Sequence, residues 1–178
     1  LVGSEMCIRD RMKGLLTSEE ESEPTSEYEV LKQSDFSGHR VLLTEDNSIA
    51  AAIALDIMGM TGLEVDHAEN GRIAVEKLLD AEPGYYDLVF MDIQMPVMNG
   101  YESASAIRAA AEGKGLDDTT ITPRPDLGEI PIVALTADAF ADDVTRARAA
   151  GMNAHVAKPL EIDDLKRAVD RHVEKGRA

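Results

Sequence analysis

From residue 40 onward, short apolar runs alternate with segments of helical period, five times over. Residues 40–44 (RVLLT) read as a strand, after which Ile49, Ala52, Ile53, Ile57 and Met60 recur at helical spacing. Residues 63–68 are a second strand, and Asn70-Gly71 opens a helix carrying Ile73, Val75, Leu78 and Leu79. In the third strand, 87–92 (DLVFMD), four apolar residues stand in a row, the mark of a strand covered on both faces. A helix over 101–111, a strand over 131–135, a helix over 138–150, a short strand over 154–157 and a helix over 161–174 complete the series. Five β-then-α units imply an α/β fold, a doubly wound parallel five-stranded sheet with right-handed crossovers and helices on both faces. In such a sheet, function gathers at the carboxyl ends of the strands.

Those ends carry Glu45 and Asp46 after the first strand, Asp92 after the third, Thr136 after the fourth and Lys158 after the fifth. Three carboxylates converging on one crevice repel one another by about 4 kcal/mol per pair at 4 Å and an effective dielectric near 20. A hard divalent cation answers that repulsion, and Mg²⁺ prefers one or two carboxylates together with water and phosphoryl oxygens. Lys158 adds a compact positive charge suited to a phosphoryl oxygen, and Thr136 a hydroxyl donor. Together these groups suit the transfer of a phosphoryl group to a carboxylate oxygen.

The rest of the chain narrows the classes further. Its 178 residues carry 34 acids against 18 Lys and Arg, a formal charge of −16, which excludes a polyanion such as nucleic acid as a partner bound through a basic surface. A single cysteine, Cys7, excludes an internal disulfide and a Cys-rich zinc module. Neither a membrane-length apolar run nor a secretory leader is present in the sequence, so the expected setting is the cytoplasm, without membrane contact by this domain.

Residues 1–38 are expected to be a non-globular acidic lead-in. Residues 18–29 alone hold six carboxylates and a proline with no apolar period. Residues 1–11 resemble translated sequencing adaptor, and Cys7 is given no role. Because the chain starts at Leu1, a fragment lacking its upstream partner is expected. Only twenty residues follow Lys158, room for one helix and not for a DNA-binding output domain.

Four stretches carry a family resemblance: 43–47 (LTEDN), 91–100 (MDIQMPVMNG), 134–137 (ALTA) and 157–160 (AKPL). In this order and on these strands they resemble the signatures of bacterial response-regulator receiver domains, over residues 40 to about 174, which sets the expected receiver domain at residues 39–176. The resemblance implies a flavodoxin-like (βα)5 fold with strand order 2-1-3-4-5. It makes Asp92 the phosphoacceptor, and has Glu45, Asp46, Asp92 and the backbone carbonyl of Gln94 hold Mg²⁺. Thr136 would bond the aspartyl phosphate, Lys158 would pair with it, and Lys158–Pro159 would be a cis peptide. His155 falls where the family keeps a switch residue that turns inward with Thr136. The texture of 91–102, 150–160 and 35–41 is most similar to receivers at the carboxyl end of hybrid sensor histidine kinases. A phosphohistidine of a kinase is then the expected donor and a histidine phosphotransfer domain the recipient. Residues 113–130 form a longer connection than the family usually has.

Other readings of the same residues stay open at this stage. Glu45 and Asp46 could be loop acids before a helix cap, Asp92 a strand end, Lys158 a surface lysine, and His155 a packing residue. His39, His67 and His172 show no metal-ligand spacing and read as surface or packing residues. A haloacid-dehalogenase-type phosphatase also phosphorylates an aspartate after a strand, but needs a second acid two residues on, where this chain has Gln94. A free-standing regulator, or a module that docks without phosphorylation, are the remaining alternatives. No kinase catalytic domain is expected in the chain itself, whose own chemistry would be acceptance of phosphate and self-dephosphorylation.

Overall fold

The computed structural model describes residues 35–137 and 141–173. Five parallel strands form one sheet in the order β2-β1-β3-β4-β5: β1 (Arg40–Thr44), β2 (Glu64–Ala68), β3 (Leu88–Asp92), β4 (Ile132–Thr136) and β5 (Ala154–Ala157). The register pairs Val41 with Val65 and Leu88, Val89 with Ile132, and Thr136 with Ala157. Every residue of β3 and β4 is buried, as their unbroken apolar runs require of strands covered on both faces. The helices are α1 (Ser48–Met60), α2 (Gly71–Asp80), α3 (Gly100–Ala111), α4 (Ala141–Ala149) and α5 (Ile162–His172). The acidic lead-in and the final residues 174–178 lie outside the described residues, apart from 35–38.

The pleat divides the core in two. Leu42, Val89, Met91, Ile132 and Ala134 face α2, α3 and α4, while Val41, Leu43, Phe90, Val133 and Leu135 face α1 and α5. At roughly 1.5–3 kcal/mol for each buried aliphatic side chain, these layers dominate the drive to fold. Phe36, inside the stretch read as lead-in, also belongs to the second layer, and its N–H donates to Thr61 O at 2.8 Å. A lone aromatic after an acidic run has no period by which to be recognised.

Helix α1 departs from the expectation in its orientation. Ala51, Ala54 and Met58 are its buried residues, while Ile49 (72%), Ile53 (52%) and Met60 (65%) are exposed. The helix is apolar nearly all round, so spacing marked it as a helix without marking its inner face.

The long connection after α3 is built onto the domain. Lys114 and Thr120 form an antiparallel bridge, Leu116–Asp118 make a 3₁₀ turn and Asp126–Glu129 a single helical turn, with Leu127 and Ile130 buried in the first core layer. Arg124 Nη1 donates to Leu79 O at the end of α2 (2.9 Å), and Arg108 Nη1 on α3 donates to Leu127 O (2.8 Å). This connection leads into the amino end of β4, opposite the end at which the strands present their acids.

Candidate functional site

Strand order places the site. β1 and β3 are neighbours, and the chain leaves them toward opposite edges of the sheet, which opens a crevice at their carboxyl ends. Glu45 follows β1 directly and its N–H donates to Ala68 O at 3.1 Å; the next residues turn into α1, where Asn47 Oδ1 caps Ile49 N and Ala50 N at 3.0 Å each. Asp92 is the last residue of β3, Thr136 the last of β4, and Lys158 follows β5. All five, with Asp46, line one crevice of about 280 Å³.

Inside it, Lys158 Nζ lies 2.5 Å from Glu45 Oε2 and 2.8 Å from Asp92 Oδ2. Asp92 Oδ1 accepts the Gln94 N–H at 3.2 Å. Glu45 and Asp92 are only 3% and 5% exposed, so their charges are largely removed from water, whereas Asp46 stands at the solvent edge. Burial alone would push the Lys158 ammonium down, but its hydrogen bonds to Asp92 and Glu45 outweigh that and hold it above the ordinary lysine value. One carboxylate oxygen from each of Glu45, Asp46 and Asp92 lies within 4.8 Å of the others. Three carboxylates against one ammonium leave an excess of negative charge, and a set of hard oxygen donors matches a small divalent cation such as Mg²⁺.

The backbone around Asp92 is tightly constrained. Asn99 and Glu102 form a reciprocal capping box at the start of α3, and Gly100 follows the cap. A Cβ on Gly100 would stand 2.3 Å from Asp92 O, so only glycine lets α3 begin this close to the end of β3. The Lys158–Pro159 peptide is cis, and Lys158 N–H donates to Thr136 O at 2.8 Å.

Of the site residues anticipated from the sequence, Glu45, Asp46, Asp92, Gln94, Thr136 and Lys158 line this crevice, with Pro159 next to Lys158 in the chain, and His155 does not. His155, on edge strand β5 and paired with Ala134, is exposed and lines a small hollow with Asp164, Arg167 and Arg171 of α5. Three participants went unrecognised. His67 Nε2 donates to Glu45 O at 2.8 Å and steadies the acidic turn, a role hidden by its place in an alternating strand. Asp143 of α4 also lines the crevice and accepts a hydrogen bond from the Tyr101 hydroxyl of α3 at 3.2 Å. An acid in the first turn of a helix reads as a dipole partner, and nothing local sets Asp143 apart.

A parallel 2-1-3-4-5 sheet with an aspartate at the end of its central strand, two acids after β1 and a lysine after β5 defines an aspartate-centred receiver architecture. The family model for the response regulator receiver domain matches residues 41–170, and the chain belongs to that family. It is 41% identical over 129 residues to the two-component response regulator ORR41 of Oryza sativa subsp. japonica, covering 71% of this chain and 87% of that protein. It is 31% identical over 172 residues to Histidine kinase 5 of Arabidopsis thaliana, covering 89% of this chain and 18% of the kinase. With Hybrid signal transduction histidine kinase G of Dictyostelium discoideum the identity is 35% over 135 residues, covering 75% of this chain and 4% of the kinase. The chain thus spans less than a fifth of the kinases it matches. These relatives are eukaryotic, so the likeness is wider than the bacterial receivers that the motifs suggested.

Among solved structures, the receiver domain of a Pseudomonas aeruginosa sensor histidine kinase, with magnesium ion coordinated in its active site cleft, matches with TM-score 0.64 and 29% identity over 78% of this chain and 99% of that one. A co-crystal structure of the Saccharomyces cerevisiae histidine phosphotransfer protein Ypd1 with the receiver domain of its downstream response regulator Ssk1 matches with TM-score 0.65 and 28% identity, over 79% of this chain and 92% of that one. The chain is a receiver domain of the two-component phosphorelay class, and among its described residues no helix is long and apolar enough to cross a membrane.

Proposed function

We propose that residues 39–176 accept a phosphoryl group from a histidine kinase's phosphohistidine onto Asp92, as a cytoplasmic relay step within a hybrid sensor histidine kinase. The observation that carries this is the convergence of Asp92, Glu45, Asp46, Thr136 and Lys158 on one crevice. The alignment with Histidine kinase 5 favours the hybrid setting, because it runs over more of the chain than the receiver itself occupies. The near-complete overlap with ORR41 favours the second reading, a free-standing regulator.

An Asp92 carboxylate oxygen attacks phosphorus in line. The O–P bond forms as the P–N bond to imidazole breaks, and the bonding pair leaves on the ring nitrogen. Glu45, Asp46, Asp92 and the Gln94 backbone carbonyl would hold Mg²⁺, which when bound supplies positive charge to the transferring oxygens. The Lys158 ammonium, already within 2.8 Å of Asp92, shifts its hydrogen bonds to a phosphoryl oxygen, and the Thr136 hydroxyl donates to another. The aspartyl phosphate brings roughly −1.5 to −2 of charge into a crevice that is already acidic. Thr136 then moves toward the phosphate, and His155 turns inward from its exposed position on β5. Water attack on phosphorus breaks the Asp92 O–P bond, returns the carboxylate and releases inorganic phosphate, the water's proton passing to solvent because Gln94 supplies no acid or base.

A histidine phosphotransfer domain is the proposed recipient, as Ypd1 is the partner of Ssk1's receiver in the co-crystal. Ile49 and Ile53 on α1, which starts two residues after Asp46, and Val97 (78% exposed), five residues after Asp92, are exposed apolar side chains on which such a partner can seat. Neither nucleic acid nor membrane is a partner of this domain. Acetyl phosphate with Mg²⁺ is the direct test: one phosphoryl group per chain is expected, and none in Asp92→Asn. Equal labelling of the variant would refute the assignment.

A further inference from the structure

Helix α4 is tied to α3 at both of its ends, by contacts of different kinds. At its carboxyl end, Arg108 of α3 donates to Gly151 O from Nε (3.0 Å) and Nη2 (2.8 Å), and Nη2 also reaches Asn153 Oδ1 (2.9 Å). The third nitrogen, Nη1, holds Leu127 O, so the guanidinium is committed to fixed acceptors in the turn after α4 and in the long connection. Gly151, at φ +94°, lies so close that a Cβ there would stand 2.7 Å from Arg108 Cγ. That end is an anchor.

At the crevice end of α4, the contacts with α3 among the described residues come from Tyr101. The Tyr101 hydroxyl donates to Asp143 Oδ1 at 3.2 Å, and the Arg146 guanidinium lies over the Tyr101 ring, 4.7 Å from its centre. Partial burial and the bond to Asp143 both raise the Tyr101 phenol above its ordinary value, so at neutral pH it stays protonated and remains a donor. Asp143 therefore has two kinds of neighbour: the Tyr101 hydroxyl on α3, which donates to it, and the acidic crevice that it lines together with Asp92, whose negative charge repels it.

We infer that Tyr101 and Asp143 are a positioning pair whose bond opposes phosphorylation of Asp92 and opens when phosphate arrives. The inference rests on the reading of Asp92 as phosphoacceptor. The added phosphoryl charge repels the Asp143 carboxylate along the crevice, the 3.2 Å bond to Tyr101 breaks, and α4 swings about its Arg108 anchor. Reciprocity fixes the sign of the effect. If phosphate opens this bond, removing the bond in advance must favour phosphate, because the two equilibria share one coupling free energy.

The experiment uses the full chain with saturating Mg²⁺ and beryllofluoride as the phosphoryl stand-in, following bound fluoride by ¹⁹F NMR and amide exchange by mass spectrometry. Tyr101→Phe keeps the Asp143 charge and the ring but deletes the bond, and should lower the half-saturating beryllofluoride concentration roughly two- to tenfold, the range for one net hydrogen bond. In the parent chain, loading should speed exchange in the first half of α4 and leave the turn at Gly151 unchanged. A residue pair serving only to stabilise the fold would leave half-saturation unmoved or raise it, and either result overturns the inference. So does unaltered exchange in α4 on loading. If the parent chain shows no bound fluoride at all, the phosphoacceptor reading fails and this inference falls with it, an outcome distinct from a loaded Asp92 with an unmoved α4.

Discussion

Lys158 Nζ stands 2.8 Å from Asp92 Oδ2, so the proposed phosphoacceptor is already engaged by a cation of its crevice before any phosphate arrives. The same nitrogen is 2.5 Å from Glu45 Oε2. The lysine therefore belongs to the buried contacts of the fold as well as to the proposed chemistry.

Removing it should show both roles. Lys158→Ala leaves two buried carboxylates facing each other, and in EDTA it should cost about 2–4 kcal/mol of unfolding free energy. Millimolar Mg²⁺ should return part of that loss, because a divalent cation replaces the missing charge. Urea denaturation with and without Mg²⁺ measures both quantities, and a variant as stable as its parent in EDTA would contradict the ion-pair account.

Alkaline pH offers an independent check on the lysine. Its folded-state value lies above the ordinary 10.5, so its stabilising contribution is complete below about pH 10.5 and fades as pH rises through the folded value. Tyr86 behaves in the same sense. Burial and its hydrogen bond to Asp66 raise the phenol above its ordinary 10.0, and its contribution fades above that pH. Melting temperature should fall steeply between about pH 10 and 12, and less steeply in Tyr86→Phe.

Metal affinity should follow the donor set. Asp46→Asn and Glu45→Gln each remove one negative oxygen donor from the cluster and should weaken Mg²⁺ binding at least about tenfold by calorimetry. Asp46→Asn should do so without lowering stability, because Asp46 is exposed and has no part in the buried contacts of Lys158.

Gly100→Ala should be far more damaging than a methyl group suggests. Its Cβ would meet Asp92 O at 2.3 Å, and the displaced strand end would carry the Asp92 carboxylate with it. A loss of about 2–4 kcal/mol is expected, together with slowed labelling by acetyl phosphate.

On the exposed edge, Ile49→Ser with Ile53→Ser should leave labelling by acetyl phosphate unchanged and slow transfer to or from a histidine phosphotransfer protein. Single-turnover transfer assays separate the two. Equal transfer rates would remove α1 from the docking surface.

Much of this was legible in the sequence because it depends on local pattern. The unbroken run from Leu88 to Met91 can only suit a strand buried on both faces, and once the sheet is parallel the residues after its strands share one end. What escaped depends on contacts between distant segments. The inner face of α1 is set by which small residues fit the sheet, and an apolar circumference conceals that choice. Tyr101 and Asp143 meet only because α3 and α4 lie side by side. Phe36 packs as a single residue, and His67 acts through a backbone oxygen that no motif records. The packing of residues 113–130 likewise follows from Arg108 and Arg124, whose acceptors are carbonyls far along the chain.

That long connection also has a practical meaning. Its tip at Asp117 and Asp118 is exposed, with Asp117 paired to Arg72 in the first turn of α2, and its base is pinned to α2 and α3 by backbone carbonyls. A reporter spliced beside those two aspartates would ride on a stem held to α2 at Arg72 and Leu79 and to α3 at Arg108. The receiver thus comes with its own attachment point for following phosphate traffic in living cells.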